Sequence, residues 1–158
     1  MRLHKKTRRF IMSVMLGNRY FIARQYEKAI ALLEEALPNS STPEKIKKKL
    51  VICYVQVGKI ERALFHFHDL VRKDPKIIID TDPYHDDCPC YEIIPTWEKK
   101  LKNEEQSQDY YESLGMLYLY CNKNRSIQYF EKALENTKFK TVISSILKII
   151  TEKVLVKH

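Results

Sequence analysis

The residues best suited to chemistry are crowded into one stretch, "YHDDCPCYEIIP", residues 84 to 95. His85, Asp86, Asp87, Cys88 and Cys90 supply imidazole, carboxylate and thiol groups, the donors that hold zinc or iron, and paired thiols also carry redox chemistry. A closed zinc site takes four ligands, usually from two paired motifs. Here a single Cys-Pro-Cys is present, and a fourth ligand would have to come from an aspartate or from distant Cys121. His85, Cys88 and Cys90 are the metal candidates. The spacing favours free thiols in a packed loop over a metal site, a redox pair or a disulfide. Cys53 reads as a small hydrophobe inside a helix. His66 and His68, in "FHFHDL", lie two apart and so face different sides of a helix, where they cannot share a metal. No Gly-rich phosphate loop, nucleophile elbow or His-Glu-x-x-His occurs, so neither an enzyme nor a bound cofactor is expected.

The elements that must position these residues are helical. The chain has 158 residues, the size of one domain, and only three glycines, which disfavours turn-rich β folds. Charged residues at 30% and hydrophobic ones at 44% favour neither a disordered chain nor a membrane protein. Four cysteines do not make a disulfide scaffold, so a reducing, cytoplasmic setting is expected. The apolar run "FIMSVML" is cut by Asn18 and Arg19, which disfavours a signal peptide. The net charge of +8 is unevenly spread. Arg2, Lys5, Lys6, Arg8 and Arg9 share the first nine residues with no acid. Asp80, Asp82, Asp86, Asp87 and Glu92 fall in residues 77 to 92 with no Lys or Arg. Such segments attract each other or different partners.

A repeat underlies the chain. "LGNRYFIARQYEKAIALLEEAL" (16 to 37) aligns with "LVICYVQVGKIERALFHFHDLV" (50 to 71), taking Leu16 to Leu50, Tyr20 to Tyr54, Ala29 to Ala63 and Leu33 to Phe67, each a step of 34. A third copy, "LGMLYLYCNKNRSIQYFEKAL" (114 to 134), has one residue fewer in its turn. Each copy reads as two helices, A and B, with apolar positions three and four apart. Gly17, Gly115, Ala29, Ala63, Ala36 and Ala133 are small where backbones approach. Gly58 and Asn122 stand where the A-to-B turn needs a permissive backbone. Pro43 suits a helix start and Pro75 a stop.

Between the second and third copies, residues 76 to 107 span nearly one period. Ile93, Trp97 and Leu101 stand where a helix B would place its apolar contacts, with Thr96 after Pro95 as the expected helix start. Pro83 and Pro89 break the matching helix A. A degenerate repeat is expected there, with a plain insertion followed by one long helix from Trp97 to Tyr120 as the alternative. Phe139, Ile143, Ile146, Ile150 and Val154 mark a final apolar helix, expected to cap the array.

The spacing Leu-Gly-x2-Tyr-x8-Ala-x3-Leu-x2-Ala in residues 16 to 36 resembles the tetratricopeptide repeat family. That resemblance implies an all-α fold: a right-handed solenoid of helix hairpins in a single domain. Its repeats would be about 10–43, 44–77 and 108–138, with 76–107 degenerate or inserted and 139–158 a capping helix. It also implies a concave groove that binds a protein or peptide. The family's inward positions fall on Ile11, Val14, Asn18, Phe21 and Ile22, then Lys45, Lys48, Ile52, Val55 and Gln56, then Asp109, Glu112, Met116, Leu119 and Tyr120. A carboxylate clamp known in some members retains only Asn18 here, with Val14, Lys49, Asp109 and Ser113 in its other places. The expected partner is an amphipathic segment of mixed charge, with self-association through the same surface as a further reading. The pI of about 9.2 and ten tyrosines keep nucleic-acid binding as an alternative, disfavoured because the repeat core claims most of the tyrosines. A regulator sensing metal or redox state through the Cys-Pro-Cys loop is the third reading. No stretch of about 20 apolar residues is present, so no insertion into a membrane is expected.

Overall fold

This computed structural model describes residues 2–103 and 108–155. Among them the chain is all-helical, without strands. The helices are α1 (Arg2–Ile22), α2 (Tyr26–Ala36), α3 (Pro43–Gln56), α4 (Ile60–Lys73), the single turn α5 (Lys76–Ile79), α6 (Cys90–Asn103), α7 (Gln108–Leu119), α8 (Lys123–Ala133) and α9 (Lys140–Leu155). They gather into two compact units, residues 1–66 and 67–158, whose boundary falls inside α4. In the first unit α1 pairs with α2 and α2 packs on α3. In the second, α6 packs on α7, α7 on α8 and α8 on α9, while Phe67 of α4 meets Phe130 of α8 with ring centroids 5.7 Å apart.

The first two turns close alike. Gln25 N–H donates to Tyr20 O and Arg24 N–H to Phe21 O; Lys59 N–H donates to Tyr54 O and Gly58 N–H to Val55 O. Each is a Schellman end, which requires a left-handed residue after the helix. Gly58 fills that place at φ 80° and Arg24 at φ 63°. The third turn lacks it. With one residue fewer, Cys121 and Asn122 N–H both donate to Tyr118 O, and Asn122 is extended at φ −151°. Asn122, placed where the turn was expected to need a permissive backbone, is thus extended rather than left-handed. Its Oδ1 instead accepts from Arg125 N–H at 3.1 Å, capping α8.

Two glycines leave room for side chains of the paired helix. A Cβ on Gly17 would lie 2.9 Å from the Leu33 side chain, and one on Gly115 2.8 Å from the Phe130 ring. The expectation of small residues at these crossings holds for the reason given.

A four-residue polar and aromatic cluster recurs in both units. In the first, Tyr54 Oη donates to Glu34 Oε1, Arg62 donates to the same oxygen at 3.2 Å, and the His66 ring stacks on Tyr54 at 5.7 Å and 3°. In the second, Tyr118 Oη donates to Glu98 Oε1, Arg125 lies 5.9 Å from the Tyr118 ring, and Tyr129 stacks on Tyr118 at 5.4 Å and 11°. Glu34 to Glu98 and Tyr54 to Tyr118 are steps of 64; Arg62 to Arg125 and His66 to Tyr129 are steps of 63. The tyrosine and glutamate are 20 residues apart in each cluster, and both lie on successive helices. Thus α6 stands to α7 as α2 stands to α3. The contact also excludes one continuous helix from Trp97 to Tyr120, which would hold Glu98 and Tyr118 about 30 Å apart.

The segment before α6 differs from expectation in two details. Its helix starts at Cys90, with Pro89 O accepting from Glu92 and Ile93 N–H, and not at Thr96. Pro95 is tolerated within α6 because it lies on the exposed side, where water can satisfy the carbonyl that loses its donor, while Ile93, Ile94 and Trp97 anchor the other face. In α9, which packs on α8, Ile143, Ile146 and Ile150 are fully buried. The Val154 side chain lies outside the described residues.

Burial, and then Glu34, push the Tyr54 hydroxyl up to about 12. A raised value means the protonated hydroxyl is favoured by folding, so its contribution is complete below pH 10 and disappears as pH rises toward 12. Tyr54→Phe is expected to cost about 1.5 kcal/mol at neutral pH and to lose that alkaline dependence, read by urea unfolding across the range. Gly115→Ala is expected to cost about 2 kcal/mol through overpacking, with Phe130→Leu restoring much of it in the double variant.

Candidate functional site

The side chains expected to form a groove separate into open and closed sets. Phe21, Ile52, Val55, Met116, Leu119 and Tyr120 are buried to 2% exposure or less and cannot meet a ligand as the chain stands. Gln56 and Lys48 are half-buried, and Ile22 is exposed. Phe21 carries the Lys49 ammonium 5.7 Å from its ring centroid.

What stays open lies between α1 and α3. A groove of about 270 Å³ is lined by Ile11, Val14, Met15 and Asn18 on one side and by the 40–42 turn, Lys45, Ile46 and Lys49 on the other. The stepping of α1 by four, three and four residues puts Ile11, Met15, Asn18 and Ile22 along one side of the helix. Pro43 starts α3, so that Lys45 and Lys49, four apart, share one face of it. Lys49 Nζ donates to Asn18 Oδ1 at 2.8 Å, tying the two walls together at the groove. Thr42 N–H donates to Ser40 Oγ at 3.0 Å and shapes the rim. The lining holds two cations and no acid. It can seat apolar side chains and draw acidic groups to its edge. Met15 and the serine rim were not expected from the sequence; the inward periodicity passes over Met15, and the rim belongs to no repeated position.

The Asp109 and Glu112 side, expected to be acidic and open, is not uniform. Asp109 is exposed, whereas Glu112 is wholly buried. Its Oε1 accepts from Thr137 Oγ1 at 2.6 Å, and Thr137 Oγ1 accepts from Phe139 N–H at 3.0 Å, which ties α7 to the segment entering α9. Burial pushes the Glu112 carboxyl above its ordinary value, with Thr137 opposing, Asp109 adding to the rise and Lys138 offsetting it.

The metal candidates are placed as follows. His85 is exposed, with Nδ1 3.4 Å from Asp82. Asp82 Oδ1 accepts from the N–H groups of Tyr84 and His85 at 2.9 and 3.1 Å, and Asp86 Oδ2 accepts from Asp82 N–H at 2.9 Å. Those N–H bonds, His85 first, hold the Asp82 carboxyl below its ordinary value. Two aspartates thus fold the loop on itself. Cys88 and Cys90 are joined as a disulfide across Pro89, and are not the free thiols the spacing favoured. Chain proximity across one residue brings the sulfurs together once Cys90 is buried at the start of α6. No group of three or more metal-ligating side chains occurs among the described residues. Cys53 is buried, and burial pushes its thiol up to about 12. His68 Nε2 lies 2.9 Å from Ser145 Oγ, and His66 stacks on Tyr54, so the two histidines do face different neighbours.

No family model, curated protein or solved structure matches the chain.

For Glu112 the raised value means that protonation is favoured by folding. Its contribution to stability is complete below pH 4.5, the ordinary value, and is lost as pH rises through the higher folded value. Glu112→Gln keeps the acceptor for Thr137 without the charge. The variant is expected to be more stable than the parent at pH 7, by about 1 kcal/mol, with the difference closing as pH falls toward 4; thermal melts at both pH values measure it.

Proposed function

We propose that the chain is a non-enzymatic binding module of the tetratricopeptide type, working in the cytoplasm, whose α1–α3 groove holds an amphipathic segment of a partner protein. The observation that carries this reading is the groove itself: apolar walls from Ile11, Val14, Met15 and Ile46, edged by Lys45 and Lys49, with no acid in the lining. Such a surface selects apolar side chains flanked by carboxylates, so the segment of mixed charge expected from the sequence narrows to one with acidic side chains beside its apolar ones. The repeated Schellman ends, the glycine crossings and the paired tyrosine clusters support a stacked-hairpin reading. Nucleic-acid binding is the weaker alternative. Tyr54, Tyr118 and Tyr129 are held in ring stacks inside the units, and bases need exposed rings.

A second reading, a thiol-responsive regulator, is favoured by the paired sulfurs of Cys88 and Cys90. Its mark would be partner binding that changes when the pair is reduced.

The groove is tested with fluorescently labelled helical peptides of matched apolar pattern, one set acidic and one basic, titrated by anisotropy. The acidic set is expected to bind and the basic set not to. Val14→Ser with Lys45→Glu should weaken binding about tenfold or more while helicity is retained. Equal binding of both sets, or a variant that binds as the parent does, overturns the reading.

A further inference from the structure

The groove accounts for Ile11 and Met15 on α1 but not for the rest of its exposed face. Lys5, Arg8, Met12, Met15, Arg19 and Ile22 follow one another at steps of three, four, three, four and three, so they form one stripe along the helix. All six are exposed, and the apolar ones heavily so: Met12 is 61% exposed, Met15 59% and Ile22 53%, with Ile11 beside them at 49%. The stripe is about 25 Å long. The whole of α1 contains no Asp or Glu, and its first turn is basic.

Two physical costs are therefore left standing on one surface. Cations near the start of a helix oppose its dipole, where acids would stabilise it. Four large apolar side chains exposed side by side make a contiguous apolar patch. A local rule broken twice, on the same face, points to use of that face.

We infer that this face of α1 docks on an anionic lipid surface, lying along it without crossing it. Charge complementarity selects a polyanion, since the stripe carries Lys5, Arg8 and Arg19 and the helix has no acid to repel one. The interleaved methionines and Ile22 then separate lipid from nucleic acid, whose phosphates offer nothing apolar to receive them. The stripe runs about 25 Å along the exposed side of a single helix, which suits a flat, deformable bilayer. Lys5, Arg8 and Met12 also border a shallow opening beside Leu32 and Glu35 of α2, and the acidic-peptide arm of the test separates the two occupants. The arginine stems can lie along the neighbouring methionines while their guanidinium groups reach lipid phosphates. No helix among the described residues is long and apolar enough to cross a membrane, which agrees with a helix lying in the surface.

The test is co-sedimentation of the full chain with unilamellar vesicles, one set of phosphatidylcholine alone and one of equal phosphatidylcholine and phosphatidylserine. At low ionic strength the chain is expected to sediment with the second set and not the first, and to be released as salt is raised. Arg8→Gln with Arg19→Gln should lower the partition coefficient about thirtyfold, and Met12→Ser with Ile22→Ser should also lower it, with helicity checked by circular dichroism. None of these four residues lines the α1–α3 groove, so the peptide titration and the vesicle assay can fail separately. The inference is overturned if the chain ignores phosphatidylserine vesicles at low salt, binds both vesicle sets equally, or binds unchanged after the arginine substitutions. It is equally overturned if the chain captures duplex DNA or an acidic peptide through these arginines while leaving the vesicles alone.

Discussion

One half-buried contact orders this protein: a tyrosine hydroxyl on one helix held by a glutamate on the helix before it. The glutamate is in turn approached by an arginine from the helix after, and a flat ring stacks on the tyrosine. Three consecutive helices are thereby fixed in rotation and in height at once, because a hydroxyl-to-carboxylate bond tolerates little displacement. Apolar packing alone would allow helices to slide by a turn with small loss. The same cluster built from Glu98, Tyr118, Arg125 and Tyr129 imposes the same constraint in the second unit. It does so although little of the α6 sequence follows the repeated pattern, so that α6 meets α7 through the same contact by which α2 meets α3.

The constraint has consequences for the surface. With α3 held on α2 through Tyr54, the α1–α2 pair and α3 leave a shallow opening, and the Asn18–Lys49 bond sits across it. The aromatic and aliphatic side chains that a wider groove would expose are buried instead. What remains for contact is edged with lysine. The outward side of α1, where Met12 and Met15 stand between Arg8 and Arg19, is exposed and takes no part in the core.

The odd stretch of residues 80 to 92 resolves into a small self-folding loop. Short acidic side chains make good acceptors for nearby backbone N–H groups, and Asp82 and Asp86 are used that way. Asp86, which looks like a metal ligand in one dimension, is thus engaged with the backbone in three. Asp87, at φ 52°, takes a left-handed conformation that aspartate tolerates better than most residues.

Much of the architecture was legible beforehand, and for definite reasons. Helix positions follow from apolar spacing and from Pro43 and Pro75, which act locally. Gly17, Gly115 and Gly58 announced close crossings and a left-handed turn because no other residue does either without cost. Position 24 was not legible, since an arginine gives no sign that its backbone must be left-handed. Nor was the start of α6 at Cys90, because Pro95 reads as the residue before a helix start unless one knows that it faces solvent within the helix. The tyrosine cluster was hidden for a different reason. Its glutamate stands 20 residues before its tyrosine, on another helix, and its stacked ring is histidine in one copy and tyrosine in the other.

The candidate site divides along the same line. Which side of each helix carries Ile11, Asn18, Lys45 or Met116 follows from period 3.6 and nothing more, and so does the charge imbalance of α1. Whether a side chain on that face is open or covered depends on what packs over it, which is a property of helix-to-helix distances and not of any one helix. Hence Lys45 and Ile11 line a groove while Met116, Leu119 and Glu112, on expected inward positions, are closed off. The sequence by itself determined the helices, their inward faces and the unbalanced charge, because these are written in local spacing. Tertiary structure alone decided which faces stay open and how Glu112 is buried, because these arise only when segments far apart in the chain compete for the same space.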